Sequence, residues 1–137
     1  MNTTVRSTFQ FIDFLVVESH LSLRRADEYD FQLSIIPSGE IHSSTGQFEL
    51  RLQVEATDAN QQAEIKVVTL ATFTYANIPE PQSSKFLTEN APAIVFPYIR
   101  AYISTLTTQA GIDPIVLPTM NLSGMADLLQ QHIVVNS

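Results

Sequence analysis

Three histidines, fourteen acidic residues and a scatter of serines are the groups in this chain that could carry chemistry. His20, His42 and His132 fall in a strand-like N-terminal run, a loop and the C-terminal helical stretch. None has a ligand partner at i+2 or i+4, so a metal would need residues gathered by the fold; no metal site is expected, and surface or packed histidines are the default. No G-x-S-x-G elbow surrounds any serine. The carboxylates lie singly in turns and on strand faces, with no helically spaced pair for acid–base work. Four glycines leave no phosphate-cradling loop. The sequence therefore assigns no catalytic residue and no cofactor.

Composition narrows the partners. A formal charge of −7 repels phosphate backbones, and Arg24-Arg25 is the only adjacent basic pair, so no nucleic acid is expected. Charged residues make up 15% of the chain, against about 25% in ordinary soluble domains. The remaining surface must be covered by Thr, Ser, Gln and Asn, or by another subunit, which favours an oligomer. Zero cysteines exclude a disulfide scaffold and fit a reducing compartment. Arg6 precedes the apolar run Phe9–Val17, but Asp13 interrupts it and no small-residue cleavage pattern follows. No uncharged run approaches the roughly 18 apolar residues of a membrane span. A cytoplasmic protein with one domain over residues 1–137 is expected, without a membrane partner.

The elements that would position any site come from periodicity. Residues 9–23 read as a strand, and Tyr29–Ile36 alternates with Phe31, Leu33 and Ile35 on one face. Pro37-Ser38-Gly39 reads as the turn that ends it. Gln47–Thr57 is the clearest strand, with Phe48, Leu50, Leu52 and Val54 against Glu49, Arg51, Gln53 and Glu55. Glu64–Tyr75, rich in Val and Thr, returns as its hairpin partner. From about Ser84 the period becomes helical, carried by Ile94, Val95, Tyr98, Ile99, Tyr102, Ile103 and Leu106. Pro97 predicts a kink, and Gly111 a C-terminal cap. A second helix is predicted over Leu122–Ile133, capped by Asn121 or Ser123. Strands followed by helices give an α+β fold, a four-stranded antiparallel sheet with a long helix and a shorter C-terminal helix packed on one face.

The run Pro92, Ile94, Phe96, Pro97, Tyr98 and Arg100 resembles the motif A/C-P-x-I-x-F-P-Y-x-R that opens the long helix of SecB, the bacterial export chaperone. The segment Pro118–Asn121 falls where that family's second helix begins. The resemblance implies the same α+β fold, a homotetramer built as a dimer of dimers, and ATP-independent binding of unfolded polypeptides. It implies a client groove lined by the second strand and second helix, here Phe31, Leu33 and Ile35 with Met125, Leu128 and Leu129. Adaptable Met and Leu side chains suit a surface that accepts many sequences. The oligomer interface expected from the long helix and first strand comprises Phe9, Phe11, Phe14, Tyr98 and Tyr102.

Other readings stay open at this point. An alternating strand and an apolar helix stripe are also normal contents of a core, and Phe9, Phe11 and Phe14 fill a monomer core equally well. The positions at which SecB is acidic for docking to the export ATPase SecA fall at His20, Arg24 and Lys66. Reversed charge there replaces attraction by repulsion, so SecA binding is expected to be altered or absent. A chaperone dedicated to one partner such as an antitoxin, or an adaptor that keeps the fold with a filled groove, are the alternatives to a general export holdase.

Overall fold

The computed structural model describes residues 6–117 and 122–136, without the side chains of 122 and 123. The elements run β1 (Thr8–Leu23), β2 (Phe31–His42), β3 (Gln47–Asp58), β4 (Ala63–Ala76), α1 (Gln82–Gln109), α2 (Leu122–Gln130) and β5 (Ile133–Asn136). The segment Pro118–Asn121 and the Asn121 cap lie outside the described residues, as does the Ser123 side chain.

The fold is α+β, but its sheet has five strands, in the order β1-β4-β3-β2-β5. Strands β1 to β4 pair antiparallel, and β5 joins β2 in parallel, Gly39 opposite Ile133 through His42 opposite Asn136. The expected four-stranded antiparallel sheet is corrected to a mixed one. The second helix stops at Gln130, and the apolar residues from Ile133 onward leave it to form β5. Gly39 eases that pairing: a Cβ there would sit 2.8 Å from both the Ile133 Cδ1 and the Phe48 Cε1, so any other residue would force these side chains to shift.

A second correction concerns Pro37-Ser38-Gly39, which continues β2 instead of turning. Pro37 pairs with Leu52 of β3, and β5 reaches only as far as Gly39. The missing proline N–H therefore costs no ladder bond on the uncovered edge. The chain reverses further on, where Gly46, at φ +67°, closes the turn.

Alternation on β3 produces the core. Phe48, Leu50, Leu52, Val54 and Ala56 are at most 2% exposed, and they face Leu87, Ala91, Val95, Ile99 and Ile103 of α1 in one buried cluster. β1 keeps pace with β4 only through two register shifts, between Phe11 and Asp13 and between Val16 and Glu18. Such bulges re-aim side chains, and Ile12 and Val17 at these points are exposed, as is Leu15. Helix α1 runs through both Pro92 and Pro97. It ends with Gly111 at φ +96°, where Ile112 N–H donates to Thr107 O at 3.2 Å, the closure of a Schellman cap.

Candidate functional site

The β1–β2 crossover (residues 24–30), the start of β2 and the α1–α2 connection (residues 110–117) surround an open groove of about 960 Å³. Its lining combines the apolar Leu23, Phe31, Leu33, Ile112, Ile115 and Val116 with the charged Arg24, Arg25, Asp27, Glu28 and Asp113. Val116 is 64% exposed and offers its side chain to whatever enters the groove.

Each wall is held from behind. In the crossover, the Tyr29 hydroxyl donates to the Arg24 carbonyl and the Tyr29 ring stacks on Phe31 at 5.6 Å. Asp58, nearly inaccessible at the end of β3, accepts from Asp30 N–H at 2.7 Å and from Gln62 N–H at 3.1 Å. The Asp30 hydrogen bond holds the Asp58 carboxyl below its ordinary range, against the opposing effect of burial. One side chain thereby anchors both the entry to β2 and the β3–β4 turn.

The opposite wall is tied to α1. Thr107 Oγ1 donates to Ile103 O at 2.8 Å and accepts from Ile115 N–H at 2.9 Å. Arg100 donates through Nε (3.1 Å) and Nη2 (2.8 Å) to the Leu117 carbonyl, with its guanidinium 5.4 Å from the centre of the Phe96 ring. The motif Phe96-Pro97-Tyr98-x-Arg100 thus acts structurally, fixing the connection that forms one side of the groove.

Of the residues expected to bind clients, Phe31 and Leu33 line this groove and Ile35 lies farther along β2, half-buried against the core. On α2, Met125 is 5% and Leu129 0% exposed, both in the core, and only Leu128 (38%) reaches solvent. The crossover and the α1–α2 connection carry no hydrophobic periodicity, so the sequence does not mark them as walls; the apolar Ile112, Ile115 and Val116 in a loop are the available signal.

The expected interface aromatics pack first within their own chain. Phe9 stacks on Phe73 at 5.1 Å and meets Phe86 edge-on at 5.2 Å, while Phe11 and Phe14 lie 5.3 and 5.5 Å from Tyr98. Tyr102 donates to Ser19 Oγ at 2.8 Å. Tyr98 nevertheless stays 48% exposed. His20 and Lys66 are directly opposite on the sheet face away from the helices, and Lys66 Nζ lies 3.5 Å from Glu18 Oε1. Arg24 departs from that expectation, since it follows the end of β1 and lines the groove. Among the described residues, no helix is long and apolar enough to cross a membrane.

Comparison with known proteins decides the family. The family described as SecB, preprotein translocase subunit SecB, matches residues 15–132. The chain belongs to the SecB family. A SecB relative, the protein-export protein SecB of Verminephrobacter eiseniae, is 32% identical over 111 residues, covering 74% of this chain and 66% of its own. The SecB of Dechloromonas aromatica is 32% identical over 83 residues, covering 58% and 55%. An uncharacterized protein of Methanocaldococcus jannaschii is 51% identical over 41 residues, 30% of this chain and 26% of that one. The chain thus spans between 26% and 66% of the length of these relatives. Among solved structures, a SecB-like chaperone of Mycobacterium tuberculosis in complex with a peptide from the HigA1 antitoxin superposes with a TM-score of 0.69. It is 20% identical and the match covers 82% of this chain and 88% of that one, a likeness of fold.

Proposed function

We propose that this SecB-family chain is an ATP-independent holdase that keeps non-native polypeptides from aggregating, with extended apolar segments held over Phe31, Leu33 and Val116. The observation that carries the proposal is the open 960 Å³ groove, whose lining sets Phe31, Leu33 and Val116 among charged residues of both signs. A groove of that kind gains affinity from apolar area without demanding one sequence. On α2, Leu128 is the expected client residue that reaches solvent, apart from the groove lining, and Ile35 continues the face of Phe31 and Leu33 along β2.

The assembly proposed is a homotetramer, a dimer of dimers joined through β1 and α1. β1 is an edge strand with Ile12, Leu15 and Val17 exposed and Tyr98 nearby, the kind of edge that proteins ordinarily cover. Light scattering behind a size-exclusion column returning the single-chain mass of 15.2 kDa would end that part.

A dedicated partner is the second reading, supported by His20 facing Lys66 on the outer sheet face and by the antitoxin peptide held by the fold neighbour. With basic groups where docking to SecA would need acidic ones, micromolar binding to SecA is not expected.

The test is the turbidity of a denatured client diluted into buffer with increasing amounts of this protein and no nucleotide. Suppression should saturate near one tetramer per client and weaken on Val116→Asp, which alters an exposed side chain and spares the core. A folded oligomer that suppresses nothing would exclude the holdase and leave an adaptor or single-partner chaperone.

A further inference from the structure

The far end of the sheet carries a cluster that the groove does not use. Glu40 and His42 are two residues apart on β2, and therefore on the same face. Glu49 of β3 lies directly opposite Glu40 in the register. One ligating atom from each of Glu40, His42 and Glu49 falls within 4.8 Å of the other two. His42 Nε2 is 3.7 Å from Glu40 Oε1. Scanning forward from each histidine misses this group, because Glu40 precedes His42 and Glu49 comes from the neighbouring strand.

Two carboxylates directly opposite on paired strands repel each other, and proteins avoid the arrangement unless something positive lies between them. Arg51, two residues beyond Glu49, makes no ion pair with either carboxylate among the described residues, whose two such contacts are His42–Glu40 and Lys66–Glu18. A protonated His42 would offset one of the two negative charges; a divalent cation would offset both. The carboxylate of Glu40 is also oriented from outside the set: Asn136, at the end of β5, donates to it through Nδ2. Hydrogen bonds of that kind commonly orient the carboxylates that bind metals.

We propose that Glu40, His42 and Glu49 form a binding site for a divalent transition-metal ion of the zinc type. One imidazole and two carboxylates suit such an ion and argue against magnesium, which prefers all-oxygen octahedral surroundings. Ligands about 2.1 Å from a tetrahedral centre are about 3.4 Å apart, so the 4.8 Å spread closes by small rotations of partly exposed side chains. Three protein ligands leave room for water or for a donor from another molecule. Because Asn136 belongs to β5, an ion held here would also steady the junction between the C-terminal strand and the β2–β3 turn.

The experiment is calorimetric titration of zinc chloride into the chelator-stripped full chain, repeated with His42→Ala, Glu49→Gln and the control His20→Ala. One ion per chain is expected, with affinity reduced at least tenfold by His42→Ala and by Glu49→Gln, unchanged by His20→Ala, and not competed by millimolar magnesium. Cobalt added to the wild-type chain should give visible ligand-field bands that zinc abolishes, a readout independent of variant folding. Absence of saturable binding, or equal affinity in His42→Ala and wild type, would overturn the site.

Discussion

Neighbouring leucines on α2 give a sharp test of which way that helix faces. Leu129 is 0% exposed and sits in the core, whereas Leu128 is 38% exposed. Truncating a fully buried leucine loses its transfer energy and leaves a cavity, about 3–4 kcal/mol for Leu129→Ala. Unfolding entropy of roughly 2.1 cal/mol/K per residue amounts to about 0.29 kcal/mol/K for 137 residues. Leu129→Ala should therefore lower Tm by about 10–14 °C. Leu128→Ala removes atoms that are partly in water already, and about 1 kcal/mol, or roughly 3–4 °C, is expected. Thermal unfolding followed by circular dichroism at one fixed chain concentration reads both, since assembly makes Tm depend on concentration. Client affinity should follow the opposite order, falling severalfold in folded Leu128→Ala and little in Leu129→Ala below its melting range. Equal Tm shifts, or a larger one at Leu128, would refute the facing of α2 and the separation of core from client surface.

Two further outcomes follow from particular groups. Gly46 has φ +67°, and a Cβ there would lie 2.3 Å from the Tyr75 carbonyl oxygen; Gly46→Ala should cost about 1–3 kcal/mol, lowering Tm by about 4–10 °C, and an unchanged Tm would contradict the turn. Asp58 is held below the usual carboxylate range, chiefly by the Asp30 N–H. Its stabilisation is complete above the unfolded value and is lost as pH falls through the lower, folded one. Wild type and Asp58→Asn should differ in Tm at pH 7 and converge below about pH 4, whereas parallel Tm–pH curves would show that the Asp58 charge contributes nothing.

The central sheet and the long helix could be read directly, because Phe48 to Val54 alternate and Val95, Ile99 and Ile103 recur every four residues. The errors have physical causes. Pro37 reads as a stop wherever a strand is bonded on both sides, but at that position β2 has one partner. Four residues of β5 are too few to show a period, and Ile133 extends the stripe of α2 just as well, so helix was the natural assignment. The groove was half legible: alternation put Phe31 and Leu33 on one face and the resemblance to SecB assigned that face to clients, while Val116 and the loop at residues 24–29 are placed by tertiary ties to Arg100, Thr107 and Asp58. Burial on α2 was not legible, because an amphipathic pattern shows which residues share a face and not what covers it.

The pairing of β1 with β4 has a consequence for how the chain is made. Leu23 ends β1 and first meets its partner at Ala63, with β2 and β3 between them in sequence. Adding residues 24 through 63, 40 in all (63 minus 23), takes about 2–8 s at roughly 5–20 residues per second. Throughout that interval a 16-residue strand bearing Phe9, Phe11, Phe14 and Leu15 has left the ribosome with no sheet to join. Every newly made copy is therefore, for some seconds, the kind of molecule that a holdase protects.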